Sequence, residues 1–458
     1  MARKRSDRPN VVVFFVDQQR WDTTGAHGCP LDLTPNFDRF ARSGTHLYNA
    51  ITCQPVCAPA RASLQTGLYA TETTVHRNGV PLPKQQRTLA HHFGEAGYHT
   101  GYIGKWHLGS RDPVPADEQG GYDFWMGANL LEFVSEPYHT VLYDRDGQPH
   151  ELPGYRVDAI ADEAIRYING HQDEPFFLFL SYLEPHHQNH LDDYVAPDGY
   201  RERYSGAWMP PDLQALGGSS YQHWAGYCGI IRRLDEALGR VQDALKSLEL
   251  DEDTIVLYTS DHGSHFKTRN AEYKRSCHEA AVHIPAALWG PGFQGGGQVR
   301  EMVSLVDLPP TLLDAAGVGG QDEMQGRSIL PLLRGEREGW PEEAFIQISE
   351  AQVGRALRTE KWKYSVVAPG ADTRNDMGSD RYVEEFLYDL EADPYELTNL
   401  IGVESHQEVA ARLRQTLVER MVAAGEAAPR IEPAPGRPKG QRRVLEGGAK
   451  LNPSMYAH

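Results

Sequence analysis

The chain reads as an α/β protein, with a large mixed, mainly parallel sheet covered by helices and a small C-terminal α+β subdomain. Three observations predict this. First, Val11–Val16, Pro175–Tyr182 and Thr254–Thr259 are short apolar runs rich in β-branched and aromatic residues, the pattern of strands buried on both faces. Second, segments of helical periodicity separate them. Third, beyond residue 340 strand-like pieces follow one another and close on a single helix. At 458 residues the chain can hold one large domain and a smaller one. The expected boundaries are 1–340, 341–427 and an irregular tail over 428–458, where proline, glycine and basic residues dominate.

Taken in order, Val11–Val16 ends at Asp17 and Gln18. The carboxyl ends of strands in open α/β sheets carry the chemistry, so these oxygens suit a metal site; a plain surface turn is the alternative. Thr34–Tyr48 sets Phe37, Phe40 and Ala41 at helical spacing, with Gly44 as the stop. Cys53–Gly67 reads C-Q-P-V-C-A-P-A-R-A-S-L-Q-T-G. Pro59 suits a first helical turn, Ala60–Gln65 its body and Gly67 its end. Cys57 and Arg61 then share one face near the positive end of the helix dipole, where an anion is favoured. Alone, Cys57 also fits a small buried residue before an ordinary helix.

Thr88–Gly97 reads as an amphipathic helix and His99–Ile103 as a strand, followed by G-K-W-H-L-G. In an extended segment Lys105 and His107 point to one side and Trp106 to the other. Arg111–Tyr155 is loop-rich and expected to shape an entrance. Val157–Asn169 is helical, and Pro175–Tyr182 leads into L-E-P-H-H-Q-N-H, which carries His186, His187 and His190. No cysteine or second histidine group stands at zinc-ligand spacing from them. Tyr221–Leu248 continues as a long helix with an apolar stripe, and Thr254–Thr259 delivers Ser260, Asp261, His262 and Gly263. Lys267, Arg269, Lys274 and Arg275 follow, cations suited either to solvent or to an anionic substrate. Leu305–Gly317 is a proline-started helix with a glycine cap.

Formal charge is −18, from 45 basic and 63 acidic residues, which excludes a generic binder of nucleic acid or anionic membrane. The five cysteines are scattered and describe neither a disulfide framework nor a zinc site. The basic start leads into an apolar run too short for a secretory leader, and no run of about 20 apolar residues occurs. As written, the chain is expected to be cytoplasmic, or periplasmic or secreted where a cleaved leader precedes it.

The C-x-P-x-R core with its A-S-L-Q-T-G continuation, together with G-K-W-H-L-G and the acidic strand exits, resembles the type I sulfatases over Pro9 to Leu400. The resemblance implies an alkaline-phosphatase-like fold whose C-terminal part is an antiparallel sheet with one helix. It also implies that a separate maturation enzyme oxidises Cys57 to Cα-formylglycine. The hydrated aldehyde is a geminal diol: one hydroxyl attacks sulfur, and the other loses a proton to eject sulfate. Asp17, Gln18, Asp261 and His262 would hold one divalent metal, calcium first because three of the four offer oxygen, with manganese or magnesium as alternatives. Gln18 departs from the family, which usually has a second aspartate there. Arg61 would position the diol, Lys105 would neutralise sulfate oxygens and His107 would take the proton that expels sulfate. His186 and Lys274 would assist the leaving alcohol. The expected substrate is a sulfated carbohydrate. A phosphonate monoester or phosphodiester hydrolase and a non-catalytic sulfated-glycan binder are the rival readings.

Overall fold

The computed structural model describes residues 8–437; the basic start at 1–7 and residues 438–458 of the expected tail lie outside them. Chain order gives β1 (Asn10–Val16), β2 (Thr45–Ile51), β3 (His99–Lys105), β4 (Phe124–Ala128), β5 (Thr140–Asp144) and β6 (Pro149–Leu152). Then follow β7 (Phe176–Ser181), β8 (Thr254–Ser260), β9 (Ala286–Trp289) and β10 (Gly297–Ser304). These form one sheet in the order β10-β2-β9-β8-β1-β7-β3-β4-β5-β6. Its centre, β8-β1-β7-β3-β4, is parallel throughout; β9 runs against both neighbours, and β5 and β6 turn back antiparallel at the edge. The sheet is therefore mixed and mainly parallel.

β1 shows why its run is unbroken rather than alternating. Val12, Phe14 and Val16 enter the core beneath helices Arg156–Gly170 and Ser220–Ser247. Val11, Val13 and Phe15 enter the opposite core with helices Cys57–Thr66, Leu89–Glu95 and Leu308–Ala315. Both faces exclude water, so each position demands an apolar residue.

Arg111–Tyr155, which carries no clear period, contains three strands. β6 is exposed along Pro149, His150 and Glu151, and an edge strand with no buried face has no reason to alternate.

A second sheet comprises β11 (Glu343–Ile348), β12 (Gly354–Thr359), β13 (Trp362–Val367), β14 (Arg381–Asp389) and β15 (Arg430–Glu432). The first four pair antiparallel, and helix Gln407–Ala423 packs on them through Leu413, Leu417 and Met421. β15 falls in the segment expected to be irregular; its Ile431 packs against the same core and it pairs parallel with β14. The two sheets meet through Ile51, Val282 and Met302 on one side and Ala344, Ile346 and Ile348 on the other.

Gly104 sits at the exit of β3 with φ +113, where a Cβ would run into the Ser181 carbonyl of β7. Only glycine lets the two strand ends approach there. Gly104→Ala is expected to destabilise the fold by more than about 1 kcal/mol, read as a lowered denaturant midpoint at unchanged m-value.

Candidate active site

Parallel strands bring their carboxyl ends to one edge, and that edge gathers the reactive side chains. Val16 pairs with Ser260, so Asp17 and Asp261 emerge side by side, with the Asp261 N–H donating to Val16 O at 3.3 Å. On the other flank β7 ends at Ser181 and leads to His186, and β3 ends at Lys105. Helix Cys57–Thr66 points its amino end at the same place, and Gly67, with φ 70, terminates it. Cys57 is the first helical residue, and the Ala58 N–H donates to Asn78 Oδ1 at 3.0 Å.

Cys57 Sγ lies 2.7 Å from Lys274 Nζ, 3.3 Å from His262 Nε2 and 3.7 Å from Asp17 Oδ1. Asp17 Oδ2 accepts from Arg61 Nη2 at 2.8 Å and from Lys105 Nζ at 3.0 Å. Burial opposes its charge, yet Lys105, Lys274 and Arg61 hold the Asp17 carboxyl well below the usual range. Burial and the Asp17 charge push the Asp261 carboxyl up.

Gln18 adopts φ 71, a left-handed conformation costly for a non-glycine residue. It is held there by its N–H to Asp261 Oδ1 at 2.9 Å and its amide Nε2 to Tyr194 Oη at 2.9 Å.

The donor set fits a divalent cation. One ligand atom from each of Asp17, Cys57, Asp261 and His262 lies within 4.8 Å of all the others, and all four residues are buried. Gln18 Oε1 and Asp261 Oδ2 are buried without a hydrogen-bond donor, which a bound cation would satisfy. His262 Nδ1–H donates to Gly263 O at 2.9 Å, which turns the Nε2 lone pair toward Asp261 and Asp17 at 3.5 and 3.7 Å.

Above this cluster opens a cleft of about 220 Å³, with Cys57, His107, His186 and Lys274 among its walls. Burial and the Lys105 and Arg61 charges hold His107 well below its ordinary pKa; burial and Lys274 do the same for His186. Both imidazoles are thus neutral and able to accept a proton.

The expected residues converge, with some contacts that differ. Arg61 braces Asp17 and also donates to Ser181 Oγ at 2.7 Å and Lys105 O at 2.9 Å. Lys105 sits behind the cleft, bonded to Glu132 Oε1 at 3.1 Å as well as Asp17. His187 lines the cleft, whereas His190 faces Glu136 near the surface.

Three of the loop cations, expected to meet either solvent or an anionic substrate, are instead tied to the protein. Lys267 pairs with Asp192, Arg269 donates to the carbonyls of Tyr395 and Glu396, and Arg275 pairs with Glu272 and Glu350. Each partner lies distant in sequence or on a neighbouring turn, so composition cannot separate such pairs from free charge. The sequence reading also missed Glu132, Asn78 and Glu350. Glu350 accepts the Asn78 N–H at 2.7 Å, linking the second sheet to the start of the Cys57 helix.

The mixed α/β sheet, with paired carboxylates beneath a buried cysteine at a helix start, is the alkaline-phosphatase-like fold of its structural relatives. The sulfatase family model matches residues 9–318, and the chain belongs to the sulfatase family. A model of the C-terminal part of N-sulphoglucosamine sulphohydrolase matches residues 271–423. Relatives include an ulvan-active sulfatase of Formosa agariphila, 28% identical over 437 residues, covering 90% of this chain and 81% of the relative. An N-acetylglucosamine-6-O-sulfatase of Bacteroides thetaiotaomicron is 25% identical, with 91% and 87% covered. Among solved structures, a putative sulfatase of Bacteroides fragilis superposes with a TM-score of 0.80 at 25% identity, covering 93% of this chain and 98% of that one. The chain is therefore a sulfuric ester hydrolase. Among the described residues no helix is long and apolar enough to cross a membrane.

Proposed function

We propose that the protein releases sulfate from a sulfated carbohydrate, using a formylglycine made from Cys57 by a separate maturation enzyme. One observation carries this reading: Cys57 Sγ stands at the cleft floor within reach of Lys274, His262 and Asp17, where the oxygens of a hydrated aldehyde would take its place. The modification supplies two hydroxyls on one carbon, a nucleophile with its own means of release. Asp17, Gln18, Asp261 and His262 would hold one divalent cation, which when bound supplies positive charge against sulfate oxygens. Three oxygen donors suit calcium; the imidazole nitrogen makes manganese the ion to test beside it.

The chain's own residues then divide the work. Lys105, enclosed between Asp17 and Glu132, fixes the carboxylate and adds its charge behind the site. Arg61 locks the same carboxylate to the ends of β3 and β7. Neutral His107 is poised to accept the proton whose loss ejects sulfate, and His186 with Lys274 faces the departing alcohol. The glycan preference rests on the N-acetylglucosamine-6-O-sulfatase relative and on aromatic and cationic walls suited to sugars.

Two measurements test this. Sulfate release is expected from sulfated oligosaccharides in a panel that also holds an aryl sulfate, choline sulfate and an aryl phosphonate; action confined to choline sulfate or to the phosphonate would overturn the substrate reading. Mass spectrometry of the peptide Thr52–Arg61 is expected to show the mass loss of a thiol replaced by an aldehyde at Cys57, with Cys53 intact. Active preparations carrying only unmodified Cys57 would sink the formylglycine step.

A further inference from the structure

The charges lining the cleft nearly all have partners. Of its acids, Glu132 is bonded by Lys105, and Glu272 and Glu350 by Arg275. Of its cations, Lys274 faces Cys57 and Arg275 is enclosed by its two glutamates. Arg77 is different. It lines the cleft, its Nη1 donates only to the neighbouring Asn78 carbonyl at 3.0 Å, and its buried Nε has no partner. Among the described residues no carboxylate stands within ion-pair distance of it. In a chain of net charge −18, carboxylates are abundant, so an arginine left without one at the mouth of an active site calls for an external anion.

The backbone around Arg77 is fixed on both sides. The His76 carbonyl accepts from Gln54 Nε2 at 2.7 Å, and the His76 ring meets Arg374 O at 3.3 Å. Asn78 is held by Glu350 and in turn holds the Ala58 N–H. Arg77 therefore springs from a rigid rim tied to the nucleophile helix, a setting in which a planar guanidinium binds a carboxylate or sulfate bidentately with little entropy lost. Arg374 lines the same cleft, and Phe133, 45% exposed, offers an aromatic face for a sugar ring.

Resting on the proposed function, we infer that Arg77 is a specificity-determining residue that selects sulfated saccharides bearing a second anionic group, a carboxylate or another sulfate, beside the scissile ester. The test compares wild type with Arg77→Gln and Arg77→Lys on a sulfated disaccharide that contains a uronate and on its carboxyl-reduced, neutral counterpart. A second arm compares a disulfated disaccharide with the monosulfated form. The ratio of kcat/KM for the doubly anionic to the singly anionic substrate is expected to fall about tenfold or more in Arg77→Gln, mainly through KM, and less in Arg77→Lys. Whichever arm shows the fall identifies the anion. Calorimetric binding of the desulfated uronate product, with the neutral product as reference, reads the same contact without turnover. Ratios and product affinities that match wild type, even with both substrates slowed together, would overturn the inference and make Arg77 a scaffold residue or a contact of the scissile sulfate. Absence of sulfate release from every substrate would instead defeat the sulfatase reading and leave the binding comparison to judge Arg77.

Discussion

Cys57→Ala is expected to lower sulfate release by about a thousandfold or more while the protein stays folded. The side chain is buried at the cleft floor, and its sulfur meets Lys274, His262 and Asp17 rather than an apolar wall. Removing it deletes the thiol that the proposed oxidation to an aldehyde requires and leaves no large cavity, so the stability change should stay within about 2 kcal/mol. Ion chromatography of released sulfate and thermal unfolding read the two quantities. Cys53→Ala is the matched control: that thiol is buried four residues earlier, and burial pushes it up to about 12. Equal loss in both variants would point to damage of the helix start, and full activity in Cys57→Ala would remove the nucleophile from the scheme.

Asp17→Asn should strike both metal content and stability. Its two oxygens serve different neighbours: Oδ2 receives Arg61 and Lys105, and Oδ1 faces Cys57. Neutralising it strips a charge from the cation donors and leaves two buried cations with one carboxylate fewer, a loss of about 3–5 kcal/mol for a broken buried pair. Elemental analysis is expected to find one divalent ion per wild-type chain and a small fraction of that in the variant, with activity falling in parallel. A variant that keeps its metal and its turnover would exclude Asp17 as a ligand.

Much of this site was legible because it sits where apolar runs stop. β1 and β8 are recognisable as doubly buried strands, and the residues that follow them, Asp17 and Asp261, are the ones the parallel register brings together. The Cys57 helix was legible from Pro59 and Gly67. What could not be read depends on contacts between distant segments. Glu132 lies 27 residues from Lys105, and Glu350 lies 272 residues from Asn78. Arg275, Lys267 and Arg269 resemble substrate-binding cations until their partners are placed, whereas Arg77, in a stretch without period or motif, keeps a buried Nε without a partner. Edge strand β6 went unread because pairing, not burial, makes it a strand.

The seam between the two sheets bears on how this chain can be recombined. Glu279 lies on the segment that carries Lys274, yet it is neutralised from the other side of the seam by Lys363 at 2.7 Å and Arg358 at 3.2 Å. Lys363 also donates to Cys277 O at 2.7 Å, while Glu396 accepts the Glu279 N–H at 2.7 Å. All of these groups are buried, so a graft that joined the first 340 residues to a foreign C-terminal sheet would leave Glu279 without its Lys363 and Arg358 counter-charges. The segment from Arg269 to His283 belongs, in exchange terms, to the sheet that follows it rather than to the one that precedes it. A shuffling experiment that respects this boundary moves Lys274 and the C-terminal sheet as a single cassette.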